Sequence, residues 1–243
     1  DVGGGAPGSY DAGASEIHQE GLRIPPLKIV EGGRRNQAII DMLLANSREP
    51  ANVGGDFASQ LAALGTGAET LQRIGRRYGA ARLAAAARRI QDQSEAAMRA
   101  VIAASPDGQY SFTDWVDDDG IDRDTQLKVR VQVTIAGDQI SIDLDGSSPQ
   151  ATGPINCTLN MTRSAVICGV LMSIGRDVPA NAGCYRPITI HAPAGSVVNA
   201  QYPAPVANRM ATGHRIVNAV MGAFATALPD RVPASYYGVS YAY

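Results

Sequence analysis

From Asn36 onward the apolar residues recur at helical spacing, and Ile39, Ile40, Leu43 and Leu44 predict a helix. It should end near Asn46-Ser47-Arg48-Glu49-Pro50, because the residue ahead of a proline disfavours helical backbone. A second helix is expected over Phe57 to Leu64 with Asp56 as its cap, and a third from Thr66 or Thr70 to Tyr78. Gly79 interrupts. Ala80 to Ala104 then reads as a long helix with Leu83, Ala87, Ile90, Ala97 and Val101 on one stripe and arginines opposite, closed by Pro106-Asp107-Gly108.

Beyond that point the period changes. Leu127, Val129, Val131, Val133 and Ile135 alternate with Lys128, Arg130, Gln132 and Thr134, the two-residue repeat of a strand with one buried face. Ile140, Ile142 and Leu144 repeat it after Ala136-Gly137-Asp138-Gln139, predicting a β-hairpin. Leu159 to Ile174 is nearly all apolar and reads as a helix buried on most sides. Ile188, Ile190 and Val197-Val198 suggest short strands, Thr212 caps a helix over His214 to Leu228, and Tyr236 to Tyr243 is strand-like with no turn after it. The expected fold class is α+β: a mixed α/β body with β-hairpins, and a helical insertion over about residues 35–105.

Charge and composition narrow the function classes. With 21 Lys+Arg against 23 Asp+Glu there is no general field for nucleic acid, and no apolar run reaches the ~18 residues that span a bilayer. The three cysteines, Cys157, Cys168 and Cys184, suit reduced thiols in a cytoplasmic protein, with Cys168 expected in the core and Cys184 in a structured turn.

Each candidate site has a plain structural alternative. Gly3 to Ser9 has the outline of a phosphate-binding loop without its lysine, which makes a tight turn the better reading. Asp117-Asp118-Asp119-Gly120 fails as a calcium loop, since Trp115 and Gln126 would occupy the first and twelfth ligand positions; an acidic turn between strands is expected. Glu16, His18 and Glu20 alternate, so on an extended segment they would face one side together, either as a polar site or as a solvated edge. His214 stands at a helix start, where a positive charge is disfavoured and a neutral imidazole is expected. Asn156 and Arg163 are candidate contacts for a substrate carbonyl or anion.

Several segments together carry a resemblance. Asp1-Val2-Gly3-Gly4, Pro7-Gly8-Ser9, Gln19-Glu20-Gly21-Leu22-Arg23-Ile24-Pro25-Pro26, Asn46-Ser47-Arg48-Glu49-Pro50, Gly55-Asp56-Phe57-Ala58-Ser59-Gln60 and Gly153-Pro154-Ile155-Asn156 resemble motifs of the hydantoinase B / oxoprolinase family. The matches run to about Pro233, over only part of the family's length, so the chain reads as a central fragment.

The resemblance implies an ATP-dependent cyclic-amide hydrolase acting on a hydantoin, 5-oxoproline or a related lactam. A partner ATPase subunit of the hydantoinase A type phosphorylates the carbonyl, and the subunit containing this chain completes the reaction. A ketone carboxylase subunit and a non-catalytic scaffold are the alternatives. By the same resemblance Glu20 and Asp56 are the candidate catalytic carboxylates, and Asp1 is a candidate ligand for a divalent metal (Mn, Zn or Mg). ATP is used by the partner rather than bound here, and an oligomer is expected.

Overall fold

The computed structural model describes residues 13–235, which fall into two compact units: residues 18–88, and residues 13–17 with 89–235. The strand-like segment Tyr236 to Tyr243 lies outside the described residues.

In the first unit, β1 (Val30–Glu31) and β2 (Arg34–Arg35) form a small antiparallel hairpin. Gly32 and Gly33 turn it at φ of +56° and +76°, the left-handed pair a two-residue hairpin turn requires. Helix α1 spans Gln37–Ala45, and Asn46 closes it by donating from Nδ2 to the Met42 carbonyl at 2.7 Å. Helix α2 then runs unbroken over Pro50–Tyr78, where two shorter helices were expected. Pro50 supplies a preset φ in the first turn, where its missing N–H costs nothing. The hydroxyls expected to start new helices instead bond back one turn: Ser59 Oγ donates to the Gly55 carbonyl at 2.9 Å, and Thr66 Oγ1 to the Ala62 carbonyl at 3.1 Å. Asp56 therefore sits inside the helix and caps nothing.

Gly79, at φ +84°, separates α2 from α3 (Ala80–Ala103). The expected stripe on α3 is out of phase. Ile90 is 56% exposed, and the buried residues are Ser94, Met98 and Ile102, one turn apart. Ser94 belongs to that face because its hydroxyl accepts a bond from Asn181 Nδ2 at 2.7 Å. Arg186 fastens the same stretch by reaching Asp92 at 2.8 Å, Glu95 at 2.9 Å and Gln91 at 3.0 Å.

The body is a four-stranded sheet in the order β3 (Gly108–Val116), β4 (Leu127–Ala136), β5 (Gln139–Asp143), β6 (Ile188–His191). The first two pairings are antiparallel and the last is parallel, the return from β5 to β6 passing through α4 (Leu159–Ser173). The predicted hairpin is β4 and β5, turned at Gly137 with φ +60°. Leu127, Val129, Val131, Val133 and Ile135 are buried and the residues between them half-exposed, so the two-residue repeat translates directly into a covered and an open face. Helix α5 (Met210–Ala227) covers that face and packs on α4. The helices approach closely: a Cβ on Gly169 would lie 2.8 Å from the Val220 side chain.

Three further expectations change here. Val197 and Val198 are fully buried, but the chain there makes only isolated bridges through Ser196 instead of a strand. Helix α5 starts at Met210, which places Thr212 inside it with a buried hydroxyl that has no bond partner. Helix α4 buries Thr162, Ala165, Val166, Gly169, Val170 and Ser173, while its opposite side, Cys168 included, is open.

Candidate functional site

The strongest polar construction among the described residues lies where the acidic turn after β3 meets the loop leading into α4. Asp119 is 4% exposed. Its Oδ1 accepts the N–H groups of Ile121 at 2.9 Å and Asp122 at 2.7 Å, and its Oδ2 accepts that of Gly153 at 2.8 Å. Burial pushes the carboxyl up, but the N–H groups of Gly153, Asp122, Ile121 and Thr152 outweigh it and hold the value below the ordinary 3.8. The carboxylate is thus charged and occupied with backbone. Gly153 has to be glycine here, because a Cβ would fall 1.8 Å from the Asp119 carbonyl oxygen.

Asn156 fastens the same loop from inside. It is fully buried; Oδ1 accepts from the Ala151 N–H at 2.8 Å, and Nδ2 faces the carbonyls of Ala151, Gly153 and Pro205 at 2.9, 3.0 and 3.0 Å. Its polar atoms are committed to three stretches of backbone, which places it behind any contact surface. Next along the chain, burial pushes the Cys157 thiol up to about 12, so it stays protonated near neutrality and donates weakly to the Arg209 carbonyl. Thr158 then caps α4 through the Met161 N–H. A cleft of about 240 Å³ opens beside this junction, lined by Asp119, Asp122, Gln126, Ser148, Gln150 and Thr152.

Arg163 stands one turn into α4, exposed to solvent. It lies on the lip of a groove of about 820 Å³ that follows the open side of α4, with Ile167, Cys168, Leu171 and Met172 along it and Arg176 and Tyr185 farther on. The groove has an apolar floor and two guanidinium groups, a surface suited to an apolar group carrying negative charge. The apolar side of α4, read as buried from sequence, is this floor.

One polar pair had no sequence signal. His191 Nδ1 lies 2.8 Å from Asp143 Oδ1 on the open face of the sheet, brought there by the parallel pairing of β5 with β6 across 48 positions. Burial raises the Asp143 carboxyl, and the His191 bond, the Asp145 N–H and the Arg130 charge bring it below its ordinary value. With side chains 68% and 42% exposed, the pair is solvent-screened. At the start of α5, burial and then the neighbouring Arg215 push the His214 imidazole below its ordinary value, which favours the neutral form expected there.

The remaining predicted residues divide between the two units. Glu20 is half-buried and Asp56 exposed, both in the unit formed by residues 18–88. Asn156 and Arg163 sit in the other unit, before and after the Thr158 cap. Asp1 lies outside the described residues. Among the described residues no group of three or more His, Cys, Asp or Glu side chains is placed to hold a metal ion, and Asp1, the expected ligand, is not one of them.

Comparison with known proteins places this architecture. The chain is 36% identical over 238 residues to the beta subunit of the caprolactamase of Pseudomonas jessenii, covering 97% of this chain and 41% of that protein. It is 35% identical over 247 residues to a protein of Pseudomonas sp. (strain NS671) named as the B subunit of a D-/L-hydantoinase, covering 96% and 41%. The crystal structure of the ATP-dependent caprolactamase from Pseudomonas jessenii superposes with a TM-score of 0.88 at 34% identity, over 95% of this chain and 40% of that one. The chain thus spans about two fifths of the length of these relatives. The family model for hydantoinase B/oxoprolinase matches residues 1–243, and the chain belongs to that family.

Proposed function

We propose that this chain is part of the hydrolytic subunit of an ATP-dependent cyclic-amide hydrolase. The supporting observation is its identity along nearly all its length to the beta chain of a caprolactamase and to the B chain of a hydantoinase. A lactam carbonyl is a poor electrophile because the ring nitrogen donates into it. Transfer of the ATP γ-phosphoryl group to the carbonyl oxygen gives an O-phosphorylated imidate, whose carbon accepts water more readily. Departure of the ring nitrogen with a proton leaves an acyl phosphate; a second water attacks the same carbon and breaks its bond to the bridging oxygen, so phosphate leaves with the original carbonyl oxygen and the carboxylate remains.

In this reading an ATPase subunit of the hydantoinase A type performs the phosphorylation, and this chain contributes to the hydrolytic side. Glu20 and Asp56 are the proposed proton-handling carboxylates and Arg163 the proposed contact for the phosphorylated substrate. Asn156 holds the loop that sets the start of α4. Asp1 is the proposed ligand for a divalent metal, a separate claim read by metal content of Asp1→Ala against wild type.

The test mixes the protein with its ATPase partner and follows ADP release and ring opening for caprolactam, 5-oxoproline and hydantoin. Ring opening coupled to ADP with at least one lactam supports the proposal. ATP-dependent consumption of bicarbonate with a ketone, and no ring opening, replaces it with a carboxylase; no turnover of either kind leaves a scaffold.

A further inference from the structure

Helix α4 is apolar on two sides, and the described residues cover one of them. Toward α5 and the sheet it buries Thr162, Ala165, Val166, Gly169, Val170 and Ser173. The other side carries Ile167, Leu171 and Met172, half-buried, with Cys168 exposed, and forms the floor of the 820 Å³ groove. Between Arg163 and Arg176 the sequence has no charged residue. A helix that is apolar all round belongs in the interior of a body, with packed layers on both sides.

We propose that the groove is filled by an amphipathic helix from the remainder of the same subunit, outside residues 1–243, with its apolar side on α4 and a carboxylate facing Arg176. The shape comes first. From Asn160 to Met172 the groove follows about 18 Å of helix, longer than a single lactam ring needs. Asn160, Ser164, Ile167 and Leu171 succeed one another at steps of four, three and four, with Cys168 and Met172 beside them, the ridge pattern a second helix packs against.

The lining then selects among macromolecules. Two guanidinium groups border the groove and no carboxylate does, so a second copy docked by the same face would set arginine against arginine. An apolar, uncharged floor matches a permanent interface, because surfaces that exchange partners are more polar. The source of such a cover is the subunit itself. This fold is kept in the caprolactamase structure, yet it makes up only about two fifths of that chain, so more than half of the relative's polypeptide lies outside the matched part. Covalent linkage gives that part a high effective concentration at the groove. Arg163 stays on the outer lip, where it can still meet a substrate. The inference rests on the relatives' chain length and stands apart from the lactam chemistry.

Thiol labelling reads the cover directly, because Cys168 is exposed on the groove while Cys157 and Cys184 are buried without it. The complete subunit is treated with N-ethylmaleimide, alone and with its ATPase partner, and Cys168 is followed by peptide mass spectrometry. Labelling in the subunit alone is expected to be at least about 100-fold slower than in the guanidinium-unfolded subunit, at low and high protein concentration alike, and unchanged by the ATPase. Asp177→Cys, exposed and outside the lining, is the reactive control. In a second measurement Arg176→Lys, which keeps the charge, is treated with a zero-length carbodiimide and is expected to form an intrachain amide with an Asp or Glu outside residues 1–243. Cys168 labelled as fast as the control shows an open groove and overturns the proposal. Protection seen only with the ATPase, or only at high concentration, assigns the groove to the partner or to a second copy and overturns it too, as does an amide to either.

Discussion

Helices α2 and α5 are both long, both interrupted by glycine and both striped with apolar residues, but they meet different fates. Helix α5 buries ten of its residues, from Thr212 to Phe224, against the sheet and α4; α2 buries none. The glycines tell the same story. Gly222 in α5 is required by contact, since a Cβ would stand 2.5 Å from the Phe112 ring, while Gly55, Gly65, Gly67 and Gly75 in α2 have nothing within 4 Å. Apolar spacing therefore establishes that a helix has a face, and only the surrounding chain establishes what that face is for.

The contrast can be broken by substitution. The largest effect belongs to the core of the body: Phe224→Ala should lower stability by about 4 kcal/mol in denaturant unfolding, through lost burial and a cavity. Asn156→Ala should cost about 3 kcal/mol, because the Ala151 N–H and three carbonyls lose their partner in the interior. Asp119→Asn should cost about 2 kcal/mol by replacing a charged acceptor of several N–H groups with a neutral amide.

Asp119 also carries a pH signature. Its folded value lies below the unfolded one, so its contribution is complete above the unfolded value of about 4 and is lost as pH falls through the lower folded value. Acid unfolding curves of wild type and Asp119→Asn should therefore converge below about pH 4, and a constant gap down to pH 2 would contradict the assignment. In α2 the direction reverses: Gly55→Ala should raise helix stability by up to about 1 kcal/mol. Leu64→Ala should change monomer stability by no more than about 0.5 kcal/mol, and a loss near 2 would mean that α2 is packed within its own chain.

Legibility followed the range of the interactions. The β4–β5 hairpin, the break at Gly79 and the end of α1 ahead of Pro50 were readable because alternation, a positive φ and a proline act within a few residues. Asp56 and Thr212 were misread as caps because a capping side chain and a mid-helix one are the same residue until the helix start is known. The shifted stripe of α3 depends on Asn181 and Arg186, some 90 positions away, and no local pattern contains them. Family motifs supplied the candidates Asp1, Glu20 and Asp56, of which Asp1 lies outside the described residues. Side-chain chemistry and position singled out Asn156 and Arg163 as candidate polar contacts, while the Asp119–Gly153 approach and the His191–Asp143 pair arise only when distant segments meet.

The most direct test of the functional account follows an oxygen atom. A lactam labelled with ¹⁸O at its carbonyl is turned over by the protein with its ATPase partner, and the released phosphate and ring-opened acid are analysed by mass spectrometry. If the carbonyl oxygen is phosphorylated and water attacks carbon, the label appears in phosphate and the new carboxylate takes both oxygens from water. Label retained wholly in the carboxylate, with none in phosphate, would contradict it.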